Sequence, residues 1–104
     1  MKKGKFKIRK KDNEIETVEG WVLPKAGNIP IDLGFDKRFR ANGINTYWVA
    51  TELSTGLSIY NGARTRTVAK QFVSNRIEKI GIERTLQIIS ENLKLTELGV
   101  NNEN

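Results

Sequence analysis

The chain has 104 residues, 38% hydrophobic and 29% charged, which fits one globular domain with a modest core and leaves no length for a second catalytic lobe. It has no cysteine and no histidine, so disulfides, thiolate nucleophiles, sulfur-ligated zinc and the commonest general base and metal ligand are all excluded. The net charge of +6 lies in blocks: residues 1–11 carry seven bases and no acid, 12–36 six acids against Lys25, 37–76 seven bases against Glu52, and 77–104 five acids against three bases. Such blocks point to a polar partner surface more than to a catalytic pocket.

In chain order, Phe6 and Ile8 alternate with Lys5, Lys7 and Arg9, which predicts a strand with apolar side chains on one face and cations on the other. Asp12-Asn13 reads as a turn. Residues 15–23 form the return strand, with Gly20 as an expected bulge and Pro24 as its end. Around Gly27 a loop is expected. Ile29, Ile31, Leu33 and Phe35 then alternate along an edge-type strand in which Pro30 lacks a ladder donor. Residues 36–45 are predicted to be a basic loop or a short helical turn.

The clearest hairpin is Tyr47–Leu53, Ser54-Thr55-Gly56, Leu57–Asn61, since a closing Gly suits a left-handed position in a short loop. With Leu53 and Leu57 flanking that loop, Tyr47, Val49, Thr51, Leu53, Leu57 and Ile59 share one face. Trp48, Ala50, Glu52, Ser58 and Tyr60 share the other. A helix to about Ile80 follows, its stripe made of Val68, Ala69, Phe72, Val73, Ile77 and Ile80, with Gly81 as the stop. A second helix from about Ile82 to Leu93 presents Ile82, Leu86, Ile89 and Leu93. The expected architecture is a single α+β domain over residues 1–100: an antiparallel sheet of four or five strands built of hairpins, two C-terminal helices packed on one face, and a disordered tail at 101–104.

Three features are candidates for function, each with a purely structural counterpart. At the first helix start, Arg64, Thr65, Arg66, Thr67 and Lys70 put three cations beside a helix end that is already partly positive, an arrangement unfavourable by roughly 0.3–1 kcal/mol per charge unless an anion docks there. The alternative is a plain Thr65 or Thr67 N-cap with solvated cations. The N-terminal block, including Lys5, Lys7 and Arg9, suits a phosphate backbone or, equally, an edge strand guarded against aggregation. Trp48 and Tyr60, with Lys37, Arg38 and Arg40 just before them, suit base stacking, or else lie in a core beneath the helices.

The order Trp48-Val49, Thr55-Gly56, Gly62, Thr65-Arg66-Thr67-Val68-Ala69 resembles the arm-DNA-binding domains of tyrosine recombinases, which share a sheet-plus-helix design with plant AP2 domains. The likeness covers residues 47–70. It implies a sheet lying in the DNA major groove, Trp48 and Tyr60 on or beside the reading face, and Arg64 and Arg66 near the phosphate backbone. The basic helix start also resembles the last helix of the double-stranded-RNA-binding fold.

Asp32, Asp36 and Glu52 could in principle gather a divalent metal, but their spacing matches no nuclease motif, and no histidine stands ready to activate a Ser or Thr. The expectation is a non-catalytic nucleic-acid-binding protein, for DNA rather than RNA, with no cofactor and no metal. The alternative is a protein-interaction or self-assembly module whose aromatic and basic sheet face meets an acidic protein or a second copy. No apolar run approaches the roughly 20 residues of a membrane span, and the basic start lacks a following apolar stretch, so a cytoplasmic protein without membrane contact is expected.

Overall fold

The computed structural model describes residues 1–25 and 30–102, and side chains to residue 93. Five strands form one antiparallel sheet in simple meander order: β1 (Lys2–Arg9), β2 (Ile15–Leu23), β3 (Leu33–Phe39), β4 (Thr46–Glu52) and β5 (Ser58–Ala63). Two helices follow, α1 (Arg66–Ile80) and α2 (Ile82–Asn102). The α+β class, the hairpin-built sheet and the two C-terminal helices packing on it are as the sequence predicts. Among the described residues, no helix is long and apolar enough to cross a membrane.

Several local expectations are corrected. Residues 36–39 are not a loop: they continue β3, pairing Asp36, Lys37, Arg38 and Phe39 with Val49, Trp48, Tyr47 and Thr46. The basic run can be a strand because Arg38 lies two residues from Asp36 on the same face and pairs with it at 2.8 Å, which compensates that buried carboxylate. The third strand therefore starts at Leu33 rather than Ile29. Ile31 is buried just before the strand, while Ile29 and Gly27 lie outside the described residues. α2 runs on to Asn102, so the first two residues of the expected tail are helical, and residues 103–104 lie outside the described residues.

Gly20 is not a bulge, since β1 and β2 stay in register from Lys2↔Val22 to Arg9↔Ile15. What Gly20 supplies is room: a Cβ there would sit 2.2 Å from the Phe35 carbonyl oxygen and 3.0 Å from the Phe6 ring. β2 pairs with β3 only across Trp21–Leu23 and Leu33–Phe35. The rest of the β1–β2 hairpin curls across the sheet, until the Arg9 N–H donates to the Gly56 carbonyl at 2.8 Å. That curl buries Phe6 and Ile8 on the face that also holds the buried Val49 and Thr51, so the apolar side of the Lys-rich strand is consumed internally.

The other face carries the main core. Leu23, Leu33, Phe35, Ala50 and Ala63 from the strands, with Ile31, meet Ala69, Val73 and Ile77 of α1. Ala50, Ala63 and Ala69 are small, so the helix lies close to β4 and β5. Of the predicted helix stripe, Ala69, Val73 and Ile77 are buried, whereas Val68, Phe72 and Ile80 remain exposed at its margins. Ile59 packs against this core rather than sharing a face with Val49, because register shifts in the β4–β5 pairing leave it unpaired between Ser58 and Tyr60. The β4–β5 loop has the expected left-handed glycine, Gly56 at φ +74°, and the Glu52 carboxylate accepts from the Ser54 N–H at 2.7 Å and the Thr55 N–H at 3.0 Å. α2 leans on the core through Ile89 and leaves Ile82 and Leu86 exposed.

Candidate nucleic-acid interface

A hairpin centred on Asp12 pairs residues equidistant from it, so Lys3 faces Trp21 and Lys5 faces Glu19. The β2–β3 and β3–β4 registers place Phe35 beside Trp21, and Trp48 opposite Lys37. Lys3, Lys5, Trp21, Lys37 and Trp48 therefore stand on the helix side of the sheet, beyond the area that α1 covers. They line a shallow groove of about 490 Å³ with Glu19 at its wall.

α1 completes this groove with one side chain. Thr65 is the N-cap, its hydroxyl accepting from the Val68 N–H at 3.1 Å, and Arg66 is the first helical residue. The Arg66 guanidinium lies 3.7 Å from the centre of the Trp21 ring and 5.7 Å from that of Trp48. A cation at a helix N-terminus opposes the helix dipole. Here two half-buried indoles offset that penalty with cation–π attraction worth about 0.5–2 kcal/mol. Lys3 Nζ stands 5.8 Å from the Trp21 centroid and Lys37 Nζ 6.0 Å from that of Trp48. Glu19 approaches Lys5 only at 3.9 Å, with both side chains largely in solvent, so it neutralises little. Four cations and one acid thus surround two indoles, which leaves this part of the surface with an excess of positive charge beside aromatic rings.

The residues proposed from sequence separate into groups. Lys5, Lys37, Trp48 and Arg66 come together in this groove. Arg64, Thr67 and Lys70 are exposed around the helix start outside it, and Thr65 is engaged as the cap. Lys7 lies further along the hairpin, opposite Thr17. Tyr60 is not beside Trp48 in the groove: it stacks on Phe72 of α1 at 4.5 Å and 15°. Arg9, Arg38 and Arg40 line a different groove, on the opposite side of the sheet. Sequence reasoning misses Trp21 because its strand carries Glu16 and Glu19 and reads as acidic. Counting residues outward from the turn puts it across from Lys3.

The carboxylates weighed for metal binding are held by other partners. Asp36 pairs with Arg38, Glu52 caps its loop, and Asp32 accepts from the Lys25 N–H at 2.8 Å. Asp36 and Glu52 also fall on opposite faces of the sheet. Among the described residues no group of three or more acids is placed to hold a metal ion. No protein-family model, curated protein or solved structure matches this chain.

Proposed function

We propose that this protein is a non-catalytic nucleic-acid-binding protein that holds an unpaired strand, DNA in preference to RNA, in the Trp21–Trp48 groove. The observation that carries the reading is the Arg66 guanidinium standing 3.7 Å over the centre of the Trp21 ring and 5.7 Å from that of Trp48, among three lysines. Guanidinium and indole planes are both stacking surfaces for bases, and Lys3, Lys5 and Lys37 supply the cations that phosphates require. Stacking needs bases free of a duplex, so single strands are preferred over duplex DNA.

The test is fluorescence anisotropy with labelled single-stranded DNA, duplex DNA and single-stranded RNA at about 50 and 200 mM salt, together with quenching of tryptophan emission. Binding that weakens steeply with salt, quenches the indoles and is lost in Trp48→Ala supports the reading. Flat traces with all three ligands exclude it. Should an acidic protein occupy the groove instead, binding would centre on the indoles and depend less on salt. A self-assembly reading has its own observation in Ile82 and Leu86, which are 51% and 44% exposed along α2. Sedimentation of monomer alone at high concentration would dismiss it.

A further inference from the structure

Lys37 and Arg38 are consecutive on β3 and point to opposite faces of the sheet, as do their partners Trp48 and Tyr47 on β4. The first pair belongs to the groove described above. The second opens onto a separate groove of about 810 Å³ between the tip of the β1–β2 hairpin, the end of β3 and the outer surface of β5. Arg40 places its guanidinium 5.0 Å from the centre of the Tyr47 ring, and Lys11 reaches in from the hairpin tip. Arg38 and Asn61 line it as well, and the end of β3 at Phe39 borders it.

The charges here differ in availability. Arg38 is matched by Asp36, and Lys10 is held by Glu16 at 2.9 Å, whereas Lys11 and Arg40 have no ion pair among the described residues. Asp12 lines the same groove and sets one negative charge against these cations, while one of its oxygens accepts from the Glu14 N–H at 3.1 Å. The groove therefore repeats the chemistry of the first in smaller form, with cations beside the half-exposed Tyr47 ring, on the far side of a sheet one strand layer thick. The full molecule is only 22 Å across its shortest axis.

We infer that the Lys11–Arg40–Tyr47 groove is a second nucleic-acid site, and that one chain holds two strand segments at once, one on each face of the sheet. The inference rests on the proposed function of the first groove, since the second ligand is identified by likeness of chemistry. Arg40 and Lys11 contact phosphates, while Tyr47 offers a ring face to a base and Asn61 an amide to its edge. A protein so built bridges two strands, or two parts of one, without dimerising.

Native mass spectrometry of the full chain with oligodeoxythymidylate of about four nucleotides, the low end of a single-strand site, measures how many strands each monomer takes. Wild type is expected to bind two. Lys11→Ala/Arg40→Ala is expected to bind one, with the first affinity changed less than about threefold, and Lys5→Ala/Lys37→Ala to weaken the other site by about tenfold. In a companion assay, wild type on bead-bound single-stranded DNA captures a second, fluorescent strand, and either double variant loses that capture. One strand per monomer in wild type, lost in the Lys5/Lys37 variant, overturns the second site and leaves the proposed function standing. Two strands retained by the Lys11/Arg40 variant also overturn it, and no strand bound by wild type overturns both readings.

Discussion

At the β4–β5 end of the sheet Ala50 and Ala63 are so small that α1 lies directly on the strands, whereas at the β1–β2 end of the same face Lys3 and Lys5 stand clear and no helix covers them. One face thus has a dry half and a charged half. The boundary runs through Trp21 and Trp48, which pack their inner edges against the core and turn the rest of each ring to the groove. Amphipathic rings suit such a border because they bury a large apolar area and still tolerate water and cations on one side. What separates the halves is the size and charge of the side chains that the registers bring together, since one sheet carries both.

The contrast can be broken from its dry side. Phe35 is fully buried beneath α1 and joins the two halves, so Phe35→Ala should cost about 3–5 kcal/mol in urea unfolding and disturb the groove as well. Gly20→Ala comes next: its new methyl would collide with the Phe35 carbonyl, which belongs to the backbone and cannot swing aside. A loss of about 1–3 kcal/mol is expected, read as a lower urea midpoint.

Substitutions at the boundary and on the charged side should sharpen it. Arg66→Ala removes the guanidinium from both indoles and should lower stability by about 0.5–2 kcal/mol while weakening nucleic-acid binding; an unchanged urea midpoint would show that the guanidinium contributes nothing to the fold. Lys5→Ala/Lys37→Ala should leave stability within about 0.5 kcal/mol of wild type, as exposed strand cations do. Its expected effect is on ligand binding, where the slope of log affinity against log salt should fall by about 0.7 for each phosphate that the variant no longer neutralises. The smallest effect is at the hairpin tip, where the hydrogen bond and charge of Glu16 raise the Lys10 pKa above its ordinary value. A raised cationic pKa means that the pair's contribution is complete below the usual lysine range and fades as pH climbs through the higher value. Lys10→Met should therefore leave the neutral-pH urea midpoint nearly unchanged and flatten only its alkaline decline.

Much of the fold is legible because local signals agree with one another. Phe6 and Ile8 alternating with cations, the Ser54-Thr55-Gly56 loop and Thr65 followed by Ala69, Val73 and Ile77 each specify an element within a few residues of itself. The charges of the run 36–39 suggest a loop, and only the pairing of Arg38 with Asp36, together with β4 alongside, makes it a strand. α2 shows the converse. Its apolar spacing is regular, yet Ile82 and Leu86 remain exposed, since periodicity says which side chains share a face and not whether anything covers that face.

By itself the sequence determined the class of the protein: a hairpin-built sheet, a capped helix, no cysteine or histidine chemistry, and charge enough to expect an anionic partner. These properties follow from composition and short-range geometry, which are fixed before the chain closes on itself. Only the tertiary structure decided which cations meet which aromatic rings. Lys3 and Trp21, Lys37 and Trp48, and Arg66 with both indoles are joined by strand register and by the seating of α1 on the sheet. The reason is that register is set by how both faces are buried at once, with Phe6 and Ile8 beneath the curl and Phe35 beneath the helix, and a shift of one residue would turn every cation and ring to the wrong side.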